Sequence, residues 1–82
     1  MQNSKYIIVK YLNGEFPFLF PGIFNHSESL PMHYKREDIV SAGFCVAYDN
    51  KWNCNGSSIT LGVSSRPEID SEILNRHFPL DN

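Results

Sequence analysis

The chain is poor in several features that would announce a function. Two cysteines among 82 residues are too few for a disulfide scaffold, so reduced thiols are expected. Basic residues are scarce too: seven Lys and Arg against nine Asp and Glu leave a formal net charge of -2. Nucleic-acid surfaces work by displacing counterions from phosphates with clustered Lys and Arg, so nucleic acid is not an expected partner. No apolar run approaches the ~20 residues that a spanning helix needs. The run Tyr6 to Val9 behind the polar Met1-Gln2-Asn3-Ser4-Lys5 is also too short for a signal-peptide core. No membrane partner and a cytoplasmic location are therefore expected. Phosphate-binding loops, catalytic signatures, repeats and low-complexity segments are missing as well, so neither enzymatic activity nor a cofactor is expected.

What is present is enough apolar material to fold. A 41% hydrophobic content with 20% charged residues argues against intrinsic disorder. The length predicts one small domain, residues 1–82, that buries a little over ~60% of its unfolded surface in a thin core.

Asn13 and Gly14 are the residues that a two-residue type I′ turn prefers, which predicts strands from Lys5 to Leu12 and from Glu15 to Phe20. In that register Tyr11 faces Phe16, Val9 faces Phe18 and Ile7 faces Phe20, all on one side. Pro17 then falls opposite Lys10 at a hydrogen-bonded site, where it has no N–H to give. The second strand is accordingly read as an edge or a bulged strand, with Pro17 and Pro21 protecting it from pairing with another chain. From Gly22 to Asp38 no period emerges, and the segment is read as an irregular connection with at most a short helix. Loops longer than about 12 to 15 residues are often functional; the plain alternative is that Phe24, Leu30 and Met32 tuck under the sheet.

A second hairpin follows, flanking Asp49-Asn50, and its register has two readings. A two- or four-residue loop sets Cys45 opposite Cys54 at a non-hydrogen-bonded pair. A three-residue loop, Asp49 to Lys51, instead gathers Phe44, Val46, Tyr48, Trp52 and Cys54 on one face. The second collects more apolar side chains and is favoured. Gly56 marks a bulge or a close backbone approach, and Ile59, Leu61 and Val63 alternate with polar neighbours as a central, half-buried strand would. Ser65-Arg66-Pro67-Glu68 reads as a capping box with Ser65 as N-cap, opening a helix from Pro67 to about Phe78 that Pro79 stops. Ile69, Ile73, Leu74 and Phe78 take its apolar side, and Asp70, Glu72 and Asn75 the other. The whole is an α+β fold: an antiparallel sheet of about four to five strands with a C-terminal helix packed on one face.

Three groups could carry chemistry. Cys45 and Cys54 with His26, His33 or His77 have the right donors for tetrahedral zinc, but eight residues separate the cysteines, unlike the tight pair of a zinc knuckle, and buried free thiols are favoured. A Cys–His nucleophile pair with His26 or His77 has no local support. His77, near the end of the helix, is read as a ring packed against the sheet rather than as a switch. For binding, the candidates are the hairpin tip Asp49, Asn50 and Lys51 with Tyr48 and Trp52, and the irregular segment carrying Phe24, His26, His33 and Tyr34. The rings of Phe16 to Phe24 add a possible partner surface if they are exposed, although packing in the core is favoured for them. Trp52 could equally cap the sheet. Joint substitution of Lys51 and Trp52 is expected to abolish partner binding without affecting thermal unfolding.

Lys5-Tyr6-Ile7-Ile8, Phe20-Pro21, His26-Ser27, Val40-Ser41-Ala42-Gly43-Phe44, Cys54-Asn55-Gly56-Ser57-Ser58 and Ser65-Arg66-Pro67-Glu68 together resemble a group of short proteins encoded in tailed-phage and prophage genomes, over about residues 5 to 78. The resemblance carries no catalytic residue. It implies a small accessory protein in the cytoplasm of a bacterial host that binds a host protein or complex, such as a defence complex that it inhibits in the manner of an anti-CRISPR protein. The alternative it leaves open is a structural, assembly or virion-associated role as a homodimer or larger homo-oligomer, and a small zinc-binding protein is the least favoured reading.

Overall fold

The first strand, β1 (Ser4–Tyr11), organises the molecule because its middle is apolar at every position. Tyr6, Ile7, Ile8 and Val9 are all completely buried, as a strand covered on both faces must be. In the computed structural model, which describes residues 4–26 and 34–80, β1 lies inside a four-stranded antiparallel sheet of order β2-β1-β3-β4. The other members are β2 (Gly14–Pro21), β3 (Ile39–Tyr48) and β4 (Lys51–Asn55). The short strands β5 (Ser57–Ser58) and β6 (Val63–Ser64) pair with each other, and α1 (Pro67–His77) closes the fold. The expected α+β architecture is thus present, with β2 at an edge.

The two faces of the sheet differ. Tyr6, Ile8, Cys45 and Cys54 pack with Ile73 and Leu74 of α1. On the opposite face Ile7, Val9, Ile39 and Ala42 meet Leu61, with Phe18, Phe20 and Tyr34 around them.

In the first hairpin the turn is Leu12-Asn13 rather than Asn13-Gly14, so Tyr11 faces Gly14, Val9 faces Phe16 and Ile7 faces Phe18. Proline explains the shift. With Tyr11 and Gly14 as the first hydrogen-bonded pair, Pro17 falls opposite Ile8 at a site where its nitrogen points away from β1 and no ladder bond is lost. Moving the register by two residues leaves every side chain on its expected face. The cost falls on Leu12, which takes a φ of 57°, a left-handed conformation that favours Gly or Asn.

The second hairpin corrects the favoured reading. Tyr48 pairs with Lys51 and Cys45 with Cys54, so the loop has two residues, Asp49 and Asn50, at φ 54° and 61°. Those are the angles of a type I′ turn, which matches the twist of the flanking strands. Turn geometry outweighs the gathering of apolar groups: Phe44 and Tyr48 are left exposed, while Cys45 and Cys54 are buried.

Residues 59–63 do not form a central strand. Ile59 is 94% exposed, and the Gly62 N–H closes a turn on the Ser58 carbonyl at 2.8 Å. Gly56 and Gly62 both hold positive φ and break the alternating segment at either end. The expected close approach at Gly56 is present, since a Cβ there would stand 2.9 Å from the Phe44 ring.

The helix begins as expected, but its cap does not. Arg66, not Ser65, is the N-cap, and no side chain of its own caps the helix. The Arg66 N–H donates to the Asp70 carboxylate at 2.8 Å instead. Asp70 was expected on the solvent side and is fully buried, because positions 70, 73 and 74 share one stripe at i, i+3 and i+4. It accepts the Tyr6 hydroxyl at 2.5 Å, the Ser41 hydroxyl at 2.8 Å and the Arg66 Nε at 3.0 Å. Arg66 reaches on to Glu15 of β2 at 2.8 Å. This network ties α1 to β1, β2 and β3, and burial together with the Asp70 hydrogen bond pushes the Tyr6 hydroxyl pKa far up.

Candidate docking surface

The predicted binding residues fall in different places. Tyr48, Asp49, Asn50 and Lys51 form an exposed tip, with Tyr48 66% exposed. Trp52 belongs to the packing: its backbone N–H donates to Asn75 Oδ1 at 2.7 Å, and its indole Nε1 donates to the Phe78 carbonyl at 2.8 Å. Replacing Trp52 would therefore unseat the helix end, and a binding test of the tip belongs on Tyr48 and Lys51. Tyr34 is half-buried between Tyr11 and Phe18, with ring centroids at 6.0 and 5.6 Å. His33 lies outside the described residues, as do Leu30 and Met32.

Phe24 and His26 lead to the most developed surface of the molecule. His26 is buried, and its ring stands edge-on between Phe20 at 5.5 Å and Phe44 at 5.8 Å. Its Nε2 lies 2.8 Å from the Gly43 carbonyl. A carbonyl only accepts, so Nε2 carries the proton. Burial lowers the His26 pKa and the Lys5 charge adds to that, while the bond to Gly43 opposes them; the ring is neutral near pH 7. Lys5 donates to the Phe24 carbonyl at 2.8 Å and sits 5.6 Å from the centroid of the Phe44 ring, within cation–π range.

Phe44 divides two open clefts. One, of about 760 Å³, runs along Leu19, Phe20, Pro21 and Ile23. The other, of about 550 Å³, is lined by Lys5, His26, Ile59 and Thr60. Ile23, 87% exposed, lines the first cleft, Ile59 lines the second, and Phe44 lines both. With His26 neutral, Lys5 is the one charged side chain among the described residues lining either cleft. Such an arrangement can hold apolar side chains on both sides of an aromatic divider and pair one anionic group with Lys5.

Phe44, Ile23, Ile59 and Lys5 were not singled out from the sequence. Phe44 reads there as one more apolar residue of a core-facing alternation. The available signal was Gly56: a glycine marking a close approach implies a ring pressed against it, and that ring is Phe44.

The remaining candidates are separated. His77 is exposed, 6.0 Å edge-on from Phe16. Cys45 and Cys54 are free and buried beneath α1. Among the described residues no group of three or more His, Cys, Asp or Glu is placed to hold a metal ion, and no helix is long and apolar enough to cross a membrane. No protein-family model, curated protein or solved structure matches the chain.

Proposed function

We propose that this protein acts by binding another protein, through the surface centred on Phe44. The observation that carries the reading is the pair of exposed isoleucines, Ile23 and Ile59, each lining one of two open clefts that share Phe44. Apolar side chains held out in this way mark contact surfaces, and an aromatic residue at their centre fits the character of a binding hot spot. Lys5 beside them suits a partner segment that presents apolar side chains next to a carboxylate. Joined to the resemblance to short phage and prophage proteins, the partner class is a host protein or complex, and the action is steric occlusion of a host defence complex without enzymatic chemistry, in the bacterial cytoplasm.

Self-assembly, as in a virion component, is the competing reading, and two features oppose its simplest route. The outward backbone sites of β2 include Pro17 and Pro21, which have no N–H to offer a second copy. The outward N–H groups of Trp52 and Cys54 on β4 already donate to Asn75 and Ser71 of α1. A homodimer would have to form through side-chain surfaces such as that around Phe44 rather than through strand edges.

A tagged pull-down from host lysate tests this, comparing the wild type with Phe44→Ala/Ile59→Ser. Near-stoichiometric recovery of a nuclease or surveillance-complex subunit by the wild type, lost in the variant while its urea midpoint is retained, is the expected result. Equal recovery by both proteins would remove the Phe44 surface from the reading. Recovery of the protein alone, with a dimer mass by light scattering that the double substitution abolishes, would replace it with self-assembly.

A further inference from the structure

The register of the second hairpin sets Cys45 and Cys54 directly opposite each other. The pair is a non-hydrogen-bonded one. Tyr48 and Lys51 flank the two-residue loop and bond to each other, so the alternation makes Ala47–Trp52 and Cys45–Cys54 the non-bonded pairs. The outward donation of the Trp52 and Cys54 N–H groups to Asn75 and Ser71 agrees with this. Side chains approach most closely at such sites, and their Cα separation of about 4.5 Å falls inside the range that a disulfide spans. Both thiols are free, and both point into the same core cluster with Tyr6, Ile8, Ile73 and Leu74.

We propose that Cys45 and Cys54 form a cross-strand dithiol that low-molecular-weight disulfides such as glutathione disulfide oxidise to an intrachain disulfide, reached by unseating α1 from β4. The two sulfurs are not equivalent. Burial pushes the Cys45 thiol pKa up to about 12, with the neighbouring Cys54 adding to it. Burial and the Asp70 charge also raise Cys54, but only to about 11, because the Ser71 hydroxyl favours its thiolate. Cys54 is the attacking group, because it lies on the edge strand β4 that the lifting helix uncovers and is the more exposed of the two. Its thiolate displaces one glutathione thiolate from the disulfide and forms a mixed disulfide. Cys45 then loses its proton and attacks the Cys54 sulfur, and the second glutathione leaves. Two thiols lose two protons and two electrons, and one glutathione disulfide becomes two glutathione molecules.

Access explains why the step is gated. The exposures of Cys45 and Cys54 are 1% and 5%, and the elements over Cys54 are held by Asn75 on Trp52 and by Ser71 on Cys54 itself. Thiol–disulfide exchange needs both a thiolate and a path for the oxidant. The native fold withholds both until the helix lifts, and a closed disulfide then fastens β4 to β3 behind the exposed tip.

The test is to equilibrate the full chain in glutathione buffers of increasing oxidation, with a parallel sample refolded from urea in the same buffers, trap with acid and alkylating reagent, and read the mass. The expected product in both samples is the monomer lighter by about 2 Da, with no glutathione adduct and with Tm raised by about 10 °C. Cys45→Ser and Cys54→Ser should give a glutathione adduct on the remaining cysteine. Dithiol or doubly adducted protein in the most oxidising refolding buffer would overturn the pairing. Asn75→Ala should speed oxidation of the folded protein about tenfold, from the loss of a backbone-capping bond. An unchanged rate would overturn the gated access.

Discussion

The two hairpins of this sheet reach the same topology by opposite compromises. In β1–β2 the ladder is placed for the prolines and the turn carries the strain: Leu12, 79% exposed, is held at φ 57° so that the nitrogen of the buried Pro17 points away from β1. In β3–β4 both turn residues, Asp49 and Asn50, carry the positive φ that a type I′ turn requires and the strands carry the burden, leaving Phe44 and Tyr48 uncovered. Their outer edges differ in the same way. The β2 edge is blunted by residues that lack a donor, whereas the β4 edge is covered by side chains of α1 that accept its donors. A missing ladder bond inside a sheet is more costly than one strained turn residue, so proline sets the register wherever it occurs in a strand. Without proline, the turn sets it.

The largest effect comes from cutting what holds the hairpins together. Asp70 collects donors from β1, β3 and the helix N-terminus while Arg66 reaches Glu15 of β2. Asp70→Ala leaves the Tyr6 and Ser41 hydroxyls and the backbone N–H and Nε of Arg66 without their acceptor, and only Glu15 remains to pair the Arg66 guanidinium. It should cost about 3–5 kcal/mol in urea unfolding. A loss below about 1 kcal/mol would mean that water substitutes for the carboxylate and that the hairpins cohere without it.

Next comes the sealed edge. Asn75→Ala removes the acceptor of the Trp52 N–H and the donor to its carbonyl at 3.3 Å, for an expected loss of about 1–2 kcal/mol. The turns themselves should respond with opposite signs. Leu12→Asn should stabilise by about 1 kcal/mol, since an exposed leucine gives up no packing and Asn tolerates the left-handed region. Asn50→Ala should destabilise by a similar amount at φ 61°. If both changes moved stability in the same direction, the contrast between a strained and a relaxed turn would be wrong. Pro17→Val should change stability by less than about 1 kcal/mol while restoring an outward donor on β2. Light scattering against concentration should then detect association that the wild type lacks.

The parts of this fold that were legible in sequence rest on local chemistry. Alternation found β1 and β2, Pro67 and Pro79 bracketed the helix, and Pro17 with Pro21 marked the edge. What escaped depends on competition between distant groups. Asp70 looks like a solvent-facing residue until Tyr6, Ser41 and Arg66 are known to converge on it. Ile59, Leu61 and Val63 have the period of a strand, yet positive φ at Gly56 and Gly62 turns the segment into a tight excursion, because side-chain alternation says nothing about whether a backbone partner is within reach. The candidate surface around Phe44 escaped for a related reason. Its components come from β1, the end of β2, the middle of β3 and the loop after Gly56, and only the registers of both hairpins together bring Phe44 into one cleft with Ile23 and another with Ile59.

The smallest effect is a dependence on pH at the second place where the hairpins meet. His26 joins Phe20 of β2 to Phe44 and Gly43 of β3, on a ring whose pKa is lowered by burial. The unfolded chain therefore binds a proton more readily than the folded one below the ordinary histidine value of about 6.5. The stability that His26 contributes is fully present above that value, falls as the pH drops through it toward the lowered folded value, and changes no further below that. The slope in the falling interval is at most about 1.4 kcal/mol per pH unit. Carboxylates common to both proteins add their own acid loss at lower pH, so the diagnostic is a difference: the urea midpoint of the wild type should decline between pH 7 and 5.5 more steeply than that of His26→Gln, which does not titrate and can still donate to Gly43. Parallel profiles would show that the junction opens to water and that His26 titrates as it does in the unfolded chain. The hairpins would then be held on this face by the β1–β3 ladder and its apolar cluster, without a sealed polar contact at His26.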